Sequence, residues 1–124
     1  MGIRVSNFLV TVSIAVGFFM TAGAGAFSNE LCPKFGNCVP EAAFDCRIID
    51  RSSLVTRVCY SAEKRYMIVR LEVTDYHYCE IGPEVVSAFL AAPSMGRFYN
   101  QSIKDSGTGG LFSCRDRPVP AFND

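Results

Sequence analysis

The 124-residue chain has no tryptophan and a single histidine, at position 77. One imidazole leaves no histidine-built metal site. The six cysteines include no C-x-x-C pair, so the ligand spacing of structural zinc and the thioredoxin-type redox motif are both missing. An excess of either charge is missing too: 12 basic side chains balance 12 acidic ones, which removes the electrostatic footprint of a nucleic-acid binder. There is no G-x-S-x-G elbow and no Cys–His signature, and the carboxylates stand singly rather than as the pair that glycoside or metal chemistry needs. Neither a catalytic residue nor a cofactor or metal is therefore expected. Charged residues make up only 19% of the chain against 49% hydrophobic, a balance that excludes a wholly disordered polypeptide. The length suits one domain.

The most explicit signal is an address. Met1 to Arg4 form a short positive segment, and Val5 to Met20 are mostly apolar. Small residues follow, with Ala24 and Ala26 in the A-x-A arrangement that signal peptidase accepts. The apolar run falls short of the roughly 20 residues of a spanning helix. Residues 1–26 thus read as a cleaved signal peptide, with a periplasmic or secreted product and no membrane association after cleavage. All six cysteines (Cys32, Cys38, Cys46, Cys59, Cys79 and Cys114) lie beyond it. An even number in a short exported chain is the composition of a disulfide framework. Three bridges are expected, each contributing about 2–4 kcal/mol, and spacing does not choose among the pairings.

Residues 27–50 form a Cys-rich leader punctuated by Pro33, Gly36 and Pro40, where regular structure should be short and one helical turn can start at Pro40. Three strands follow, joined by short polar links as an antiparallel meander. Ser53 to Tyr60 is the first, with Val55, Val58 and Tyr60 as core contacts. Tyr66 to Val73 alternates, with Met67, Val69, Leu71 and Val73 on the buried face of a half-buried strand. Tyr76 to Ile81 is the third. Pro83 then opens a helix with Val86, Phe89, Leu90 and Pro93 along one stripe. Ser94 caps a second, shorter helix that shows Met95, Tyr99 and Ile103 on one face. The expected fold class is α+β: a three-stranded antiparallel meander packed by one helix and a short second helix, with a disulfide-tied leader and tail. Residues 106–124 read as a Gly-rich flexible linker and a tail pinned at Cys114.

Residues 51–105 resemble the KTSC domain, a module that occurs at the C-terminus of some lysyl-tRNA synthetases. The resemblance rests on Ser52-Ser53, Val55 and Cys59-Tyr60 in an opening strand, Tyr76-His77-Tyr78 as a central Y-x-Y, and Pro83-Glu84-Val85 at a helix start. Its most specific part is Ala92-Pro93-Ser94-Met95-Gly96-Arg97-Phe98-Tyr99-Asn100, similar to an A-P-S-K-G-R-aromatic-aromatic-N signature. RNA binding is the role suggested for that family. Three departures oppose it here. Met95 stands where the family has lysine, Val73-Thr74-Asp75 replaces a glycine between the second and third strands, and Cys59 and Cys79 suit an oxidising compartment.

Two groups of candidate binding residues emerge. Tyr76 and Tyr78 share one strand face, either as a stacking platform with Arg57 or Arg70 nearby, or as packing under the helix, the reading preferred here. Ser94, Gly96, Arg97 and Asn100 form an anion site at a helix start, or else a cap, a close backbone approach and a main-chain bond; the structural reading is preferred. His77, between the two tyrosines, is expected to be an exposed strand residue. The function expected is that of a small non-enzymatic binding module whose partner is an extracytoplasmic protein or small ligand. Nucleic acid is not an expected partner. An RNA-binding module and a disulfide-scaffold inhibitor or enzyme are the alternatives.

Overall fold

In a computed structural model, residues 29–122 are described, with Gly2, Ala15 and Gly17 ahead of them. The expected signal peptide, residues 1–26, otherwise lies outside the described residues. The first element is a two-stranded ribbon, β1 (Glu30–Leu31) against β2 (Val39–Pro40). A single 3-10 turn, Glu41–Ala43, follows Pro40. Then come β3 (Asp45–Ile48), β4 (Val55–Ser61), β5 (Tyr66–Leu71) and β6 (Thr74–Tyr78). They pair antiparallel in chain order. Helices α1 (Pro83–Ala91) and α2 (Met95–Ser102) and the one-turn α3 (Asp105–Thr108) complete the fold.

The α+β class holds, but the sheet has four strands, not three. The additional strand, β3, comes from the leader, with Cys46 directly opposite Cys59 and Arg47 opposite Val58. Its residues are mostly exposed, so no apolar alternation announces it in the sequence. The boundaries of the others shift by a few residues. Val73 belongs to the two-residue turn between β5 and β6 and is 88% exposed rather than part of the core.

Both faces of the sheet are covered. On one side Val58, Met67, Val69 and Tyr78 pack with Val86 and Phe89 of α1, Met95 and Tyr99 of α2, Ile103 and Phe112. Val55 joins them because a register shift between Val55 and Arg57 resets the alternation of β4. On the other side Cys59, Tyr66, Ile68 and Cys79 pack with Leu31 and Val39 of the leader, with Phe44 and Phe122 against them. Strand β5 is therefore buried on both faces from Tyr66 to Val69, where alternation alone anticipates one. The disulfides explain the difference. Cys46–Cys59 ties β3 to β4, Cys79–Cys114 ties the tail to the end of β6, and Cys32–Cys38 closes a small ring within the leader. The two extensions thereby become a layer of the fold.

Local signals set the helix ends. Pro83 occupies the first turn of α1 with Glu84 beside it, a favourable pair at a positive helix terminus. Arg51 closes the other end, its guanidinium donating to the carbonyls of Ala92 (2.8 Å) and Leu90 (2.7 Å). Ser94 caps α2 through its hydroxyl, which accepts from the Arg97 N–H at 3.3 Å.

Candidate functional site

A cavity of about 600 Å³ lies along β6 where leader, sheet, helices and tail converge. Its floor is aromatic: Tyr76, Tyr78 and Tyr99 line it. Tyr76 and Tyr78 are paired opposite Val69 and Met67, which puts them on the helix side of the sheet. Tyr78 is buried in the core, and its hydroxyl meets that of Tyr99 at 2.5 Å. Burial raises the pKa of both phenols, so both stay protonated at neutral pH. Two hydroxyls joined by one hydrogen bond use one proton between them, which leaves one O–H to donate elsewhere.

Tyr76 is half-buried against the same core and lines the cavity. The two tyrosines thus serve packing and wall at once. Arg57 and Arg70 are not their companions. Both point to the opposite face and close on the buried Asp75 carboxylate, Arg57 through one contact at 3.0 Å and Arg70 through two, at 3.1 and 3.0 Å.

The cavity's rim comes from segments outside the recognisable motifs. Lys34 and Phe35 belong to the ring closed by Cys32–Cys38, and Ser113, Cys114, Arg115 and Val119 to the tail. Lys104, Asp105 and Ser106 reach in from the start of α3. Three cations and one carboxylate give the lining a positive balance. Phe35 is 81% exposed with φ 67°, and the Lys34 ammonium lies 5.2 Å from its ring centroid. Phe35 is thus a solvent-exposed aromatic residue held in the left-handed region, a conformation that costs a side chain with a Cβ. Beside it, Gly36 lies against His77, where a Cβ would come within 2.8 Å of the imidazole.

His77 also lines the cavity, and it is not the exposed residue that the sequence suggests. It is half-buried, with Nδ1 at 2.8 Å from the Tyr66 hydroxyl and the two rings edge to face. Burial raises the Tyr66 pKa and lowers that of His77. A protonated phenol thus shares one hydrogen bond with a neutral imidazole, and the ring's tautomer sets which of the two donates.

The second group of candidates is elsewhere. Ser94, Arg97 and Asn100 are exposed on α2, away from the cavity. A Cβ at Gly96 would meet Leu54 at an ordinary 3.7 Å, so no close approach is needed there. The close approach occurs at Gly107, where a Cβ would fall 2.0 Å from the Asn100 carbonyl oxygen. Asn100 matters through its backbone, and the expected linker is there a helical turn packed against α2. Glu30 lies close to Cys32 and Cys38, but sulfurs bonded to each other leave only its carboxylate to offer a metal.

The frame behind this cavity is the part that compares with known proteins. Residues 51–106 match the sequence profile of the KTSC domain. They form a KTSC domain. No match is found among curated proteins. The KTSC domain supplies β4 to β6, α1 and α2, and with them the aromatic floor of the cavity. Phe35, Lys34 and Arg115 come from outside it. The cavity is thus built jointly by the KTSC frame and its disulfide-tied extensions.

Proposed function

We propose that the chain is an exported, non-enzymatic binding module, and that the cavity along β6 takes an anionic, partly apolar ligand outside the cytoplasm. The observation that carries this reading is the lining: three tyrosines and an exposed phenylalanine, with three cations against one carboxylate. A pocket that is mostly apolar with a few convergent polar groups is the usual form of a ligand site. Export is supported by the A-x-A segment at Ala24 and Ala26 and by six cysteines paired in three bridges, a pattern of oxidising compartments. The non-enzymatic reading is supported by the single imidazole, which shares its Nδ1 with the Tyr66 phenol and not with a serine or cysteine nucleophile. RNA is disfavoured by the balanced overall charge and by Met95, which is buried in the core.

The test is a titration with anilinonaphthalene sulfonate, an anionic aromatic dye that brightens on entering apolar sites. The folded, oxidised protein should bind it saturably with one site, and the double variant Lys104→Glu with Arg115→Glu should lose that site at unchanged melting temperature. Dye binding that survives the double charge reversal would overturn the assignment.

A further inference from the structure

One strand edge is only partly covered, and the gap opens into the cavity. Strands β5 and β6 are joined by the two residues Glu72 and Val73, with Leu71 paired to Thr74. In such a hairpin the flanking pair exchanges backbone hydrogen bonds, and bonded and non-bonded pairs alternate from there. Tyr76 and Tyr78 therefore bond to β5, while the N–H and C=O of Asp75 and His77 point away from it. The Asp75 carbonyl is taken by the Lys34 N–H at 2.8 Å, and beyond the strand the Cys79 N–H donates to Phe112 at 2.9 Å. His77, between them, has no partner for its backbone N–H or C=O among the described residues. Leader and tail blunt this edge at both ends, as edges generally are, and leave one residue's pair of groups open.

We propose that an acidic peptide in extended conformation occupies this gap, adding a short strand beside β6 and exchanging two backbone hydrogen bonds with His77. The proposal rests on the binding-module reading and names its ligand class. Strand addition supplies affinity through the main chain and specificity through alternate side chains. In the added strand, the residue opposite His77 projects to the imidazole side. Its two neighbours project with Tyr76 and Tyr78 to the helix side, where Tyr99 and Lys104 are. There the positive balance of Lys104 and Arg115 over Asp105, and the spare phenolic proton of the Tyr78–Tyr99 pair, both call for carboxylates. An acidic–apolar–acidic tripeptide core meets these requirements. From Asp75 to Cys79 the edge runs about 13 Å at 3.3 Å per residue, which limits the occupant to a few residues.

The experiment uses the oxidised, 15N-labelled protein and three probes. These are acetyl-Glu-Val-Glu-Val-Glu, the same peptide with both valines N-methylated, and acetyl-Lys-Val-Lys-Val-Lys. The acidic peptide should shift the His77, Tyr76 and Arg115 amides and slow exchange of the His77 amide proton at least about tenfold at saturation. N-methylation should weaken binding about tenfold or more, the loss of a backbone hydrogen bond, and the lysine peptide should not bind. Equal binding of the N-methylated peptide, or unchanged exchange at His77, would overturn strand addition. Equal binding of the lysine peptide would overturn the charge argument. Protection of His77 that grows with protein concentration alone would put a second copy in the gap and also overturn the proposal. Failure of all peptides with the dye still bound removes only the strand proposal, whereas failure of the dye as well removes the site.

Discussion

At the scale of single residues, the chemistry rests on side chains whose neighbours come from other segments. His77 is one such case. Burial lowers its pKa below the ordinary 6.5, so the folded state resists a proton that the unfolded chain accepts. The contribution of the neutral imidazole is complete above the unfolded value and is lost as pH falls through the window between that value and the lower folded one. Urea melts at pH 7 and pH 5 should show a drop in stability that is smaller in His77→Gln. An identical drop in both proteins would disprove this coupling. Tyr66→Phe removes the partner of Nδ1; a rise in the His77 pKa, read from the imidazole carbon shifts in NMR, shows the phenol donating to the neutral ring, and a fall shows Nδ1–H donating to the phenol. Asp75 is a second case. Its carboxylate satisfies Arg57 and Arg70 together, yet Arg70 keeps 36% of its side chain exposed. Asp75→Ala should therefore cost about 2–3 kcal/mol, less than a fully buried network would. A loss below about 0.5 kcal/mol in chemical denaturation would show that solvent carries these charges.

Elements are where the sequence is most readable, and where its silences have local causes. The period-2 run of β5 and the spacing of Met95, Tyr99 and Ile103 are contained within a few residues, so they are legible without knowing what packs on them. Strand β3 is not, because Asp45, Arg47 and Ile48 are exposed and its place is set by the opposition of Cys46 and Cys59. The turn between β5 and β6 is intermediate. Its missing glycine is visible in the sequence, and the structure gives the consequence: Glu72 holds φ at 55°, a region costing a residue with a Cβ about 1 kcal/mol. Glu72→Gly relieves that strain but adds unfolded-chain entropy of similar size, so stability should change by less than about 0.5 kcal/mol. A loss of about 1 kcal/mol in chemical denaturation, the full entropy term with no offset, would mean that the turn carries no strain. Gly107→Ala tests the opposite situation. A methyl group driven into the Asn100 carbonyl must push α3 away from α2, and a loss of about 2 kcal/mol or more is expected.

The whole molecule joins a recognisable frame to two extensions that the frame alone does not explain. The tyrosine floor was legible because Y-x-Y lies within one strand. The cavity was not, because Lys34, Phe35 and Arg115 stand in irregular segments held at β6 by long-range ties, the Lys34–Asp75 backbone bond and the Cys79–Cys114 bridge. Loop length then predicts how each bridge matters. In the chain-entropy account, the separations of 6, 13 and 35 residues correspond to about 2, 3 and 4 kcal/mol for Cys32–Cys38, Cys46–Cys59 and Cys79–Cys114. Stability and cavity integrity need not follow the same order. Removing Cys79–Cys114 by double serine substitution releases the tail carrying Ser113, Arg115 and Val119, so both melting temperature and dye binding should fall. Removing Cys32–Cys38 should lower the melting temperature less, yet it frees Lys34 and Phe35 from their ring and should weaken dye binding almost as much. Removing Cys46–Cys59 loosens the distant β3 edge, at an intermediate cost in stability with dye binding retained. Melting temperature and dye affinity measured on the three double variants separate these effects. Should affinity simply follow stability across all three, the cavity would be a by-product of global folding and not a surface that the leader and tail build on the KTSC frame.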